Sequence, residues 1–130
     1  MSITVLVVDD ADYMRQMLIM MLKKIGIHDI VQTNNGAQAL QILANGRINL
    51  MLLDCVMPDM DGFQVLKALR ANPTTAKLPV ILVTGHADEH IIAKVRAPET
   101  RADGIIAKPL SLATLEQKVV SVLTAHGLSR

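Results

Sequence analysis

The chain has 130 residues, a formal net charge of +1 at pH 7, and 51% hydrophobic and 19% charged residues. This length suffices for one packed core and predicts a single domain over residues 1–130. Because the net charge is close to zero, no broad basic surface is expected and nucleic acid is not a predicted direct partner. The apolar run at the N-terminus is too short for a signal sequence or a membrane span, so no membrane attachment is expected.

The chain contains a single cysteine, Cys55. One cysteine excludes an internal disulfide and a cysteine-based zinc site. A lone thiol fits a reducing, cytoplasmic setting, and Cys55 is expected to be a small buried apolar residue.

The first half of the chain alternates predicted strands and helices. Residues 3–8 form an apolar strand of the kind that is covered on both faces in a parallel sheet. Apolar residues then recur every three or four positions from Met14 to Ile25, which predicts an amphipathic helix that ends at Gly26. A methionine stripe at positions 14, 17 and 21 is expected to pack in the core. The pattern continues with strand 30–33, helix 37–44, strand 49–53 and a helix marked by Phe63, Leu66 and Leu69.

The second half continues the alternation. Residues 80–83 form a strand, and the apolar residues between 91 and 95 predict a helix over 88–96 that Pro98 closes. Residues 104–107 form the fifth strand, after which Ser111 is placed to cap a last helix. The predicted buried face of this helix consists of Leu112, Leu115, Val119, Val122 and Leu123. Strict alternation of strands and helices implies right-handed crossovers, a mostly parallel sheet and helices on both faces.

Polar residues follow four of the predicted strands: Asp9-Asp10, Asp54, Thr84 and Lys108. The carboxyl ends of parallel strands share one edge of a sheet, where α/β folds bind ligands, so these side chains are expected to converge. Three carboxylates in one crevice repel each other by roughly 1 to 4 kcal/mol per close pair, which a divalent cation relieves. Mg²⁺ is the expected ion because it prefers oxygen ligands.

The residues at these strand ends suit phosphoryl transfer. No histidine and serine are arranged there as base and nucleophile, so the reacting group would be a carboxylate, and Asp54 is the candidate. Lys108 offers a compact positive charge and Thr84 a hydroxyl donor, both suited to phosphoryl oxygens. Taken singly, Asp9-Asp10 also fits a helix cap and Lys108 an ordinary surface lysine.

Four motifs together resemble the receiver domain of two-component response regulators, and most closely its stand-alone CheY-like members. They are Val7-Val8-Asp9-Asp10, Asp54 followed by Met57-Pro58-Asp59-Met60-Asp61-Gly62, Thr84-Gly85, and Lys108-Pro109. The resemblance covers essentially the whole chain. It implies a flavodoxin-like, three-layer α/β fold with a five-stranded parallel sheet of order 2-1-3-4-5, an order for which CheY itself is a standard example.

The resemblance also implies a function. Asp54 would accept a phosphoryl group from a phosphohistidine on a sensor histidine kinase or a histidine phosphotransfer protein. Mg²⁺ would be bound by Asp9, Asp10, Asp54 and the backbone carbonyl of Val56. Thr84 and Lys108 would contact the phosphoryl group, and the Lys108-Pro109 peptide would be cis. The chain would be a monomer or weak dimer, not an enzyme beyond its own phosphorylation and dephosphorylation. It would signal to a downstream protein through its fourth helix, fifth strand and fifth helix.

Some positions depart from the common receiver pattern. Ile105 stands where many receivers carry an aromatic switch residue, and Leu110 where Phe is frequent. Residues 97–99 shorten the fourth helix or lengthen its exit loop. Val56 and His86 flank the predicted phosphoryl site, and they are expected to give a phosphoryl lifetime different from that of receivers with polar residues at both positions.

Two other functions stay open at this point, and chemotaxis is one pathway that the resemblance suggests. A Mg²⁺-dependent phosphatase with an aspartyl-phosphate intermediate would carry a second acid at position 56, where this chain has Val. A phosphorylation-independent binding domain would not need the complete set of site residues. Asp59 and Asp61 are expected to be solvated loop acids, and His86 and His90 to face solvent rather than to bind zinc.

Overall fold

The computed structural model describes residues 2–130. Its five strands are β1 (Thr4–Val8), β2 (Asp29–Thr33), β3 (Leu50–Asp54), β4 (Val80–Thr84) and β5 (Gly104–Ala107). All neighbouring strands pair in parallel, and the strand order is β2-β1-β3-β4-β5. This is the predicted flavodoxin-like sheet.

The helices that connect the strands are α1 (Asp12–Lys24), α2 (Gly36–Leu43), α3 (Gly62–Ala71), α4 (Glu89–Arg96) and α5 (Leu112–Ala125). A short 3₁₀ turn over Pro98–Thr100, which was not predicted, follows α4. The predicted element boundaries agree with the observed ones to within one or two residues, as expected for strongly periodic segments. Among residues 2–130, no helix combines the length and the apolar content needed to cross a bilayer.

The apolar core lies in two layers, one on each face of the sheet. Successive strand residues point to opposite faces, so Val5 and Val7 join one core cluster while Leu6 and Val8 join the other. Helices α1 and α5 cover the first face, and α2, α3 and α4 cover the second. Met14, Met17 and Met21 pack in or against the first cluster, which confirms the prediction that the methionine stripe serves the core.

Two residue-level predictions were wrong. Leu112 was expected on the buried face of α5, but it is 37% exposed. It is the first residue of the helix, which reaches the core only one turn later, at Leu115. Asp61 was expected to be a solvated acid, but it caps α3: its side chain accepts the Gln64 N–H at 2.9 Å, and the Gln64 side chain accepts the Asp61 N–H.

Candidate functional site

Asp54 is the last residue of β3 and lies at the carboxyl edge of the sheet. It is only 6% exposed, and β1 and β4 flank its strand on both sides. The start of α3 packs directly against this strand end, because the Gly62 N–H donates to the carbonyl of Cys55 at 2.9 Å. A Cβ atom at Gly62 would lie 2.6 Å from the carbonyl oxygen of Asp54, so this close approach requires glycine.

Asp9 and Asp10 follow β1 and lie beside Asp54. Asp9 is 1% exposed and Asp10 is exposed, and the three carboxyl groups offer oxygen atoms that all lie within 4.8 Å of one another. Asp9 is held in place because its Oδ1 accepts the Ala11 N–H at 2.9 Å and its carbonyl accepts from Arg15 at 2.9 Å. The N-cap residue of α1 is Ala11, with no side-chain cap, so the alternative role of Asp10 as a helix cap is not supported.

Lys108 follows β5 and reaches the same group of carboxylates. Its Nζ lies 3.2 Å from Oδ1 of Asp54 and 3.4 Å from Oδ2 of Asp9. The lysine side chain is 23% exposed, which differs from the ordinary surface lysine that the sequence also allowed. The structure therefore brings the predicted lysine and the predicted carboxylates into one cluster.

Burial and mutual charge shape the ionisation of this cluster. Burial, followed by the repulsion of Asp9, raises the pKa of Asp54 to about 6, although Lys108 acts in the opposite direction. Burial alone would lower the pKa of Lys108, but the attraction of Asp54 and Asp9 outweighs it and raises that pKa. Once all three carboxyl groups are ionised, one ammonium group leaves the cluster with excess negative charge.

The donor set suits a hard divalent cation. Within residues 2–130, Asp9, Asp10 and Asp54 are the group of His, Cys, Asp or Glu residues whose donor atoms lie close enough together to share a metal ion. All of its donors are oxygen atoms, which Mg²⁺ prefers. The Val56 N–H lies 3.4 Å from Oδ1 of Asp54, and the Val56 side chain is 69% exposed at the rim. The three predicted carboxylate ligands are thus adjacent and fit Mg²⁺ chemically, and the Val56 carbonyl stays a predicted ligand.

Thr84 is the last residue of β4 and is almost fully buried, with 1% exposure. Asp54 pairs in register with Val83, so Thr84 is one position further along the neighbouring strand. Its Oγ1 accepts the His86 N–H at 3.1 Å, and its carbonyl accepts the Lys108 N–H at 2.7 Å. The Lys108-Pro109 peptide is cis, as predicted. Thr84 and Lys108 therefore connect the ends of β4 and β5.

The remaining predicted residues surround this cluster or lie farther away. Cys55 is buried and free, as expected, and burial raises the pKa of its thiol. His86 and His90 are both exposed, which agrees with the expectation that they face solvent. Ile105 is partly buried and packs against the same core cluster as Ile91 of α4. Ile105 therefore keeps β5 in apolar contact with that layer.

A second charged cluster lies at the opposite edge of the sheet and was not predicted. The side chain of Asp103 accepts four hydrogen bonds: from the Val80 N–H at 2.8 Å, Arg70 at 3.3 Å, Arg101 at 2.6 Å and His126 at 3.1 Å. These partners come from the start of β4, the end of α3, the loop before β5 and the end of α5. One carboxylate therefore forms hydrogen bonds with residues of β4, α3, the loop before β5 and the end of α5, and so stabilises the packing of these four segments.

Arg70 is the most buried cation of that cluster. Its side chain is 4% exposed, and its guanidinium also donates to the carbonyls of Ala76, Leu78 and Arg101 at 2.8 to 3.0 Å. Burial, and then the repulsion of Arg101, lowers the pKa of Arg70 to about 10. Three of the four partners of Asp103, namely Arg70, Val80 and His126, are 23 to 33 residues away from it in sequence, so no local pattern indicates them.

Comparisons with known proteins agree with this architecture. A family model described as the response regulator receiver domain matches residues 5–120. The chain is 31% identical over 118 residues to chemotaxis protein CheY-3 of Vibrio cholerae, covering 91% of this chain and 89% of that protein. The structure of CheY4 of Vibrio cholerae gives a TM-score of 0.85 at 27% identity, covering 95% of this chain and 100% of that chain. The receiver domain of a sensor histidine kinase from Pseudomonas aeruginosa, solved with magnesium in its active-site cleft, gives 0.79 at 23% identity, covering 90% and 93%.

Proposed function

Because the chain belongs to the receiver-domain family of response regulators, we propose that it is a phosphoacceptor module of a two-component pathway that receives its phosphoryl group on Asp54. The donor is a phosphohistidine of a sensor histidine kinase or a phosphotransfer protein. The recipient of the signal is a downstream protein. We propose a cytoplasmic location, where such donors are reached without crossing a membrane.

One observation carries this proposal: a buried carboxylate, Asp54, shares its crevice with two further carboxylates and with the ammonium group of Lys108. A structural carboxylate at this position would be better served by two or more short hydrogen bonds. Asp54 instead has contacts of 3.2 and 3.4 Å and a pKa near 6. Its oxygen atoms therefore keep lone pairs available for a metal ion and for a phosphorus atom.

The chemistry follows from these positions. An oxygen of ionised Asp54 forms the new O–P bond while the N–P bond of the donor breaks, and the imidazole leaves with the electrons of that bond. Lys108 and the Thr84 hydroxyl would donate hydrogen bonds to the oxygens of the transferred phosphoryl group. Asp9, Asp10, Asp54 and the Val56 carbonyl would hold Mg²⁺, which would supply positive charge to the phosphoryl oxygens; the magnesium site in the receiver domain of the Pseudomonas aeruginosa kinase supports this assignment.

A path from the site to the far face runs through β4 and β5. The phosphoryl group introduces new acceptor oxygens near Thr84 and Lys108, which are joined by the 2.7 Å backbone hydrogen bond. A shift of either residue displaces the end of β5, and Ile105 of β5 packs against the core layer that includes Ile91 of α4. We propose that phosphorylation shifts a pre-existing equilibrium of the α4, β5 and α5 face.

The test is phosphorylation by a small donor. Incubation with acetyl phosphate and Mg²⁺ is expected to add one phosphoryl mass to the protein, with the label located at Asp54 by peptide mass spectrometry. Chelation of Mg²⁺ is expected to slow labelling by at least about tenfold. Hydrogen exchange of α4, β5 and α5 before and after labelling reports the conformational shift.

Two variants test whether Asp54 is the residue that carries the phosphoryl label. Asp54→Asn is expected to abolish the label, whereas Asp59→Asn, which changes an exposed acid of the next loop, is expected to retain it. Label that persists in Asp54→Asn, or an unlabelled wild-type protein, would refute the phosphoacceptor role.

A further inference from the structure

Arg15 connects the candidate metal site to the edge of the sheet. It is the fourth residue of α1, and its side chain is only 12% exposed. Its guanidinium group donates three hydrogen bonds: Nη1 to the carbonyl of Asp9 at 2.9 Å, Nη2 to Oδ1 of Asp12 at 2.5 Å, and Nε to Oε1 of Gln32 at 2.8 Å. Because the group is planar and its donor directions are fixed, three partners hold it in one orientation beside the turn between β1 and α1.

The carbonyl that Arg15 binds belongs to the peptide group between Asp9 and Asp10. A peptide group is planar, so its orientation determines the directions in which the two flanking residues extend. The Ala11 N–H fixes the side chain of Asp9, but the Asp9 N–H donates to the Thr33 carbonyl at only 3.3 Å, and α1 has no side-chain N-cap. The 2.9 Å bond from Arg15 therefore restrains the peptide group that carries both carboxylates.

This restraint matters because the carboxylates of the site repel each other. Oxygen atoms of the three candidate metal ligands all lie within 4.8 Å of one another, so repulsion acts to push the turn between β1 and α1 away from β3. Lys108 opposes this repulsion as a counter-charge. Within residues 2–130, Arg15 forms its ion pair with Asp12 and with none of the three site carboxylates. Arg15 therefore acts on the site through geometry rather than as its counter-ion.

Gln32 holds the guanidinium group of Arg15 from the side of β2. Its Oε1 accepts both the Arg15 Nε–H at 2.8 Å and a hydrogen bond from Nε2 of Gln16 at 3.0 Å. Strand β2 lies at the edge of the sheet and pairs with β1. One chain of hydrogen bonds thus links the edge strand, helix α1 and the turn that carries the metal ligands.

We propose that Arg15 is a positioning residue for the divalent cation and that Gln32 holds it in place. Arg15 keeps the peptide group between Asp9 and Asp10 in the orientation that presents both carboxylates to Mg²⁺, so the ion meets a preformed site. This inference rests on the proposed function, since Mg²⁺ is the ion that phosphoryl transfer to Asp54 would use.

Charge and positioning predict opposite effects of removing Arg15. Loss of a positive charge near the site strengthens the binding of a cation, because it removes a Coulomb repulsion. Loss of positioning weakens binding, because the ion then has to order the turn. Arg15→Met removes both the charge and the donors, whereas Arg15→Lys keeps the charge and loses the planar fork. A role limited to joining α1 and β2 would lower the free energy of unfolding and leave the Mg²⁺ affinity of the folded protein unchanged.

The test is an NMR titration of the metal-free protein with MgCl2, which gives the dissociation constant from the amide shifts of Asp9 and Asp10. Arg15→Met and Arg15→Lys are both expected to weaken Mg²⁺ binding by about three- to tenfold, and Gln32→Leu by about two- to threefold without a change of charge. Arg47→Met is the matched control, because Arg47 is exposed in the loop before β3 at the other end of the strands. It is expected to change the affinity less than about 1.5-fold. Saturating Mg²⁺ is expected to restore labelling by acetyl phosphate in the Arg15 variants.

Tighter or unchanged Mg²⁺ binding in Arg15→Met would overturn the proposal. Full affinity in Arg15→Lys would also overturn it, because charge alone would then be sufficient. Labelling of Arg15→Met that stays slow at saturating Mg²⁺ would count against it as well, since the defect would lie outside cation binding. A wild-type protein that binds no Mg²⁺ and takes no label would refute the proposed function and this inference together. Normal wild-type binding and labelling, with no change in the variants, would refute only the positioning role of Arg15.

Discussion

Each of the two edges of the sheet holds an aspartate beside cationic groups, Asp54 buried and Asp103 partly buried, yet the two carboxylates differ in how many hydrogen bonds they accept. Asp103 accepts four hydrogen bonds of 2.6 to 3.3 Å from three side chains and one backbone N–H. Asp54 accepts from Lys108 at 3.2 Å and from Val56 at 3.4 Å, and faces the like charge of Asp9. The first carboxylate is saturated and the second is not.

This difference separates a structural charge from a reactive one. A saturated carboxylate has no lone pair to offer, and its removal leaves buried partners without an acceptor. An under-bonded carboxylate among like charges destabilises the fold, and a metal ion or a phosphoryl group relieves that cost. The number and length of the hydrogen bonds to each carboxylate therefore distinguish the two roles. Solvent exposure does so less well, because the side chains of Asp54 and Asp103 are 7% and 12% exposed.

The largest expected effect concerns the saturated carboxylate. Asp103→Ala is expected to lower the free energy of unfolding by about 2 to 4 kcal/mol, because it leaves the buried Arg70 guanidinium without its counter-charge. Urea denaturation measures this loss. Asp29→Ala removes an exposed aspartate of the same edge, which accepts a bond from Thr4, and is expected to cost well under half as much. Equal losses in both variants would contradict the structural role of Asp103.

Removal of the charge of Asp54, the reactive carboxylate, is expected to stabilise the fold instead of destabilising it. Asp54→Asn keeps the shape and removes the buried charge, so it is expected to raise the free energy of unfolding by about 1 to 3 kcal/mol near neutral pH in the absence of Mg²⁺. Because the folded state raises the pKa of Asp54 from 3.8 to about 6, the wild-type penalty is full above pH 6 and disappears below 3.8. The advantage of the variant should therefore shrink as the pH falls through this window.

Urea denaturation at a series of pH values measures this dependence. Asp12→Asn, which changes an exposed acid of α1, serves as the control and is expected to change stability little. A destabilised Asp54→Asn protein, or an advantage that grows as the pH falls, would show that Asp54 is saturated like Asp103.

An effect of similar size but opposite sign is expected from the glycine that lets α3 approach the reactive carboxylate. A Cβ at Gly62 would meet the Asp54 carbonyl oxygen at 2.6 Å and the Cys55 Cα at 3.0 Å. Both are backbone atoms, so Gly62→Ala is expected to cost about 1 to 3 kcal/mol and to slow labelling by acetyl phosphate. Gly85→Ala is the matched control, because its Cβ would meet nothing within 4 Å. Similar stability and labelling rates in the two variants would refute the packing argument.

The smallest effects concern the rim of the carboxyl edge. Val56 is 69% exposed and His86 is exposed beside the site, so neither is needed for packing. Val56→Asn and His86→Glu are each expected to change the rate of dephosphorylation by about two- to tenfold, because they alter the polar groups that water meets there. The decay of the phosphoryl mass after removal of the donor measures the rate. Val120→Asn, an exposed change on α5, should leave it unaltered.

Much of this fold could be predicted from the sequence because its strands and helices follow from the spacing of apolar residues that are close together in the chain. The spacing of apolar residues determined the helix and strand positions, and the polar residues after four strands indicated which edge holds the site. The convergence of Asp9, Asp10, Asp54 and Lys108 followed from parallel pairing alone. The 3₁₀ turn at residues 98–100 was missed because three residues are too few to show a period.

Other features depend on contacts between distant segments. The Asp103 cluster joins residues 70, 80, 101 and 126, and no local pattern near residues 70, 80 or 126 indicates Asp103 as their partner. The one local signal is the pair of charged residues immediately before β5, Arg101 and Asp103.

The concentration of carboxylates around Asp54 also has a kinetic consequence. A donor protein diffusing toward this end of the molecule meets a negative potential, so a donor with a basic rim around its phosphohistidine is drawn in while an acidic one is slowed. We therefore expect encounter with the proper donor to become slower as salt is added, with the encounter rate of an acidic competitor rising instead. The residues that prepare the chemistry would in this way also help to choose which proteins arrive to take part in it.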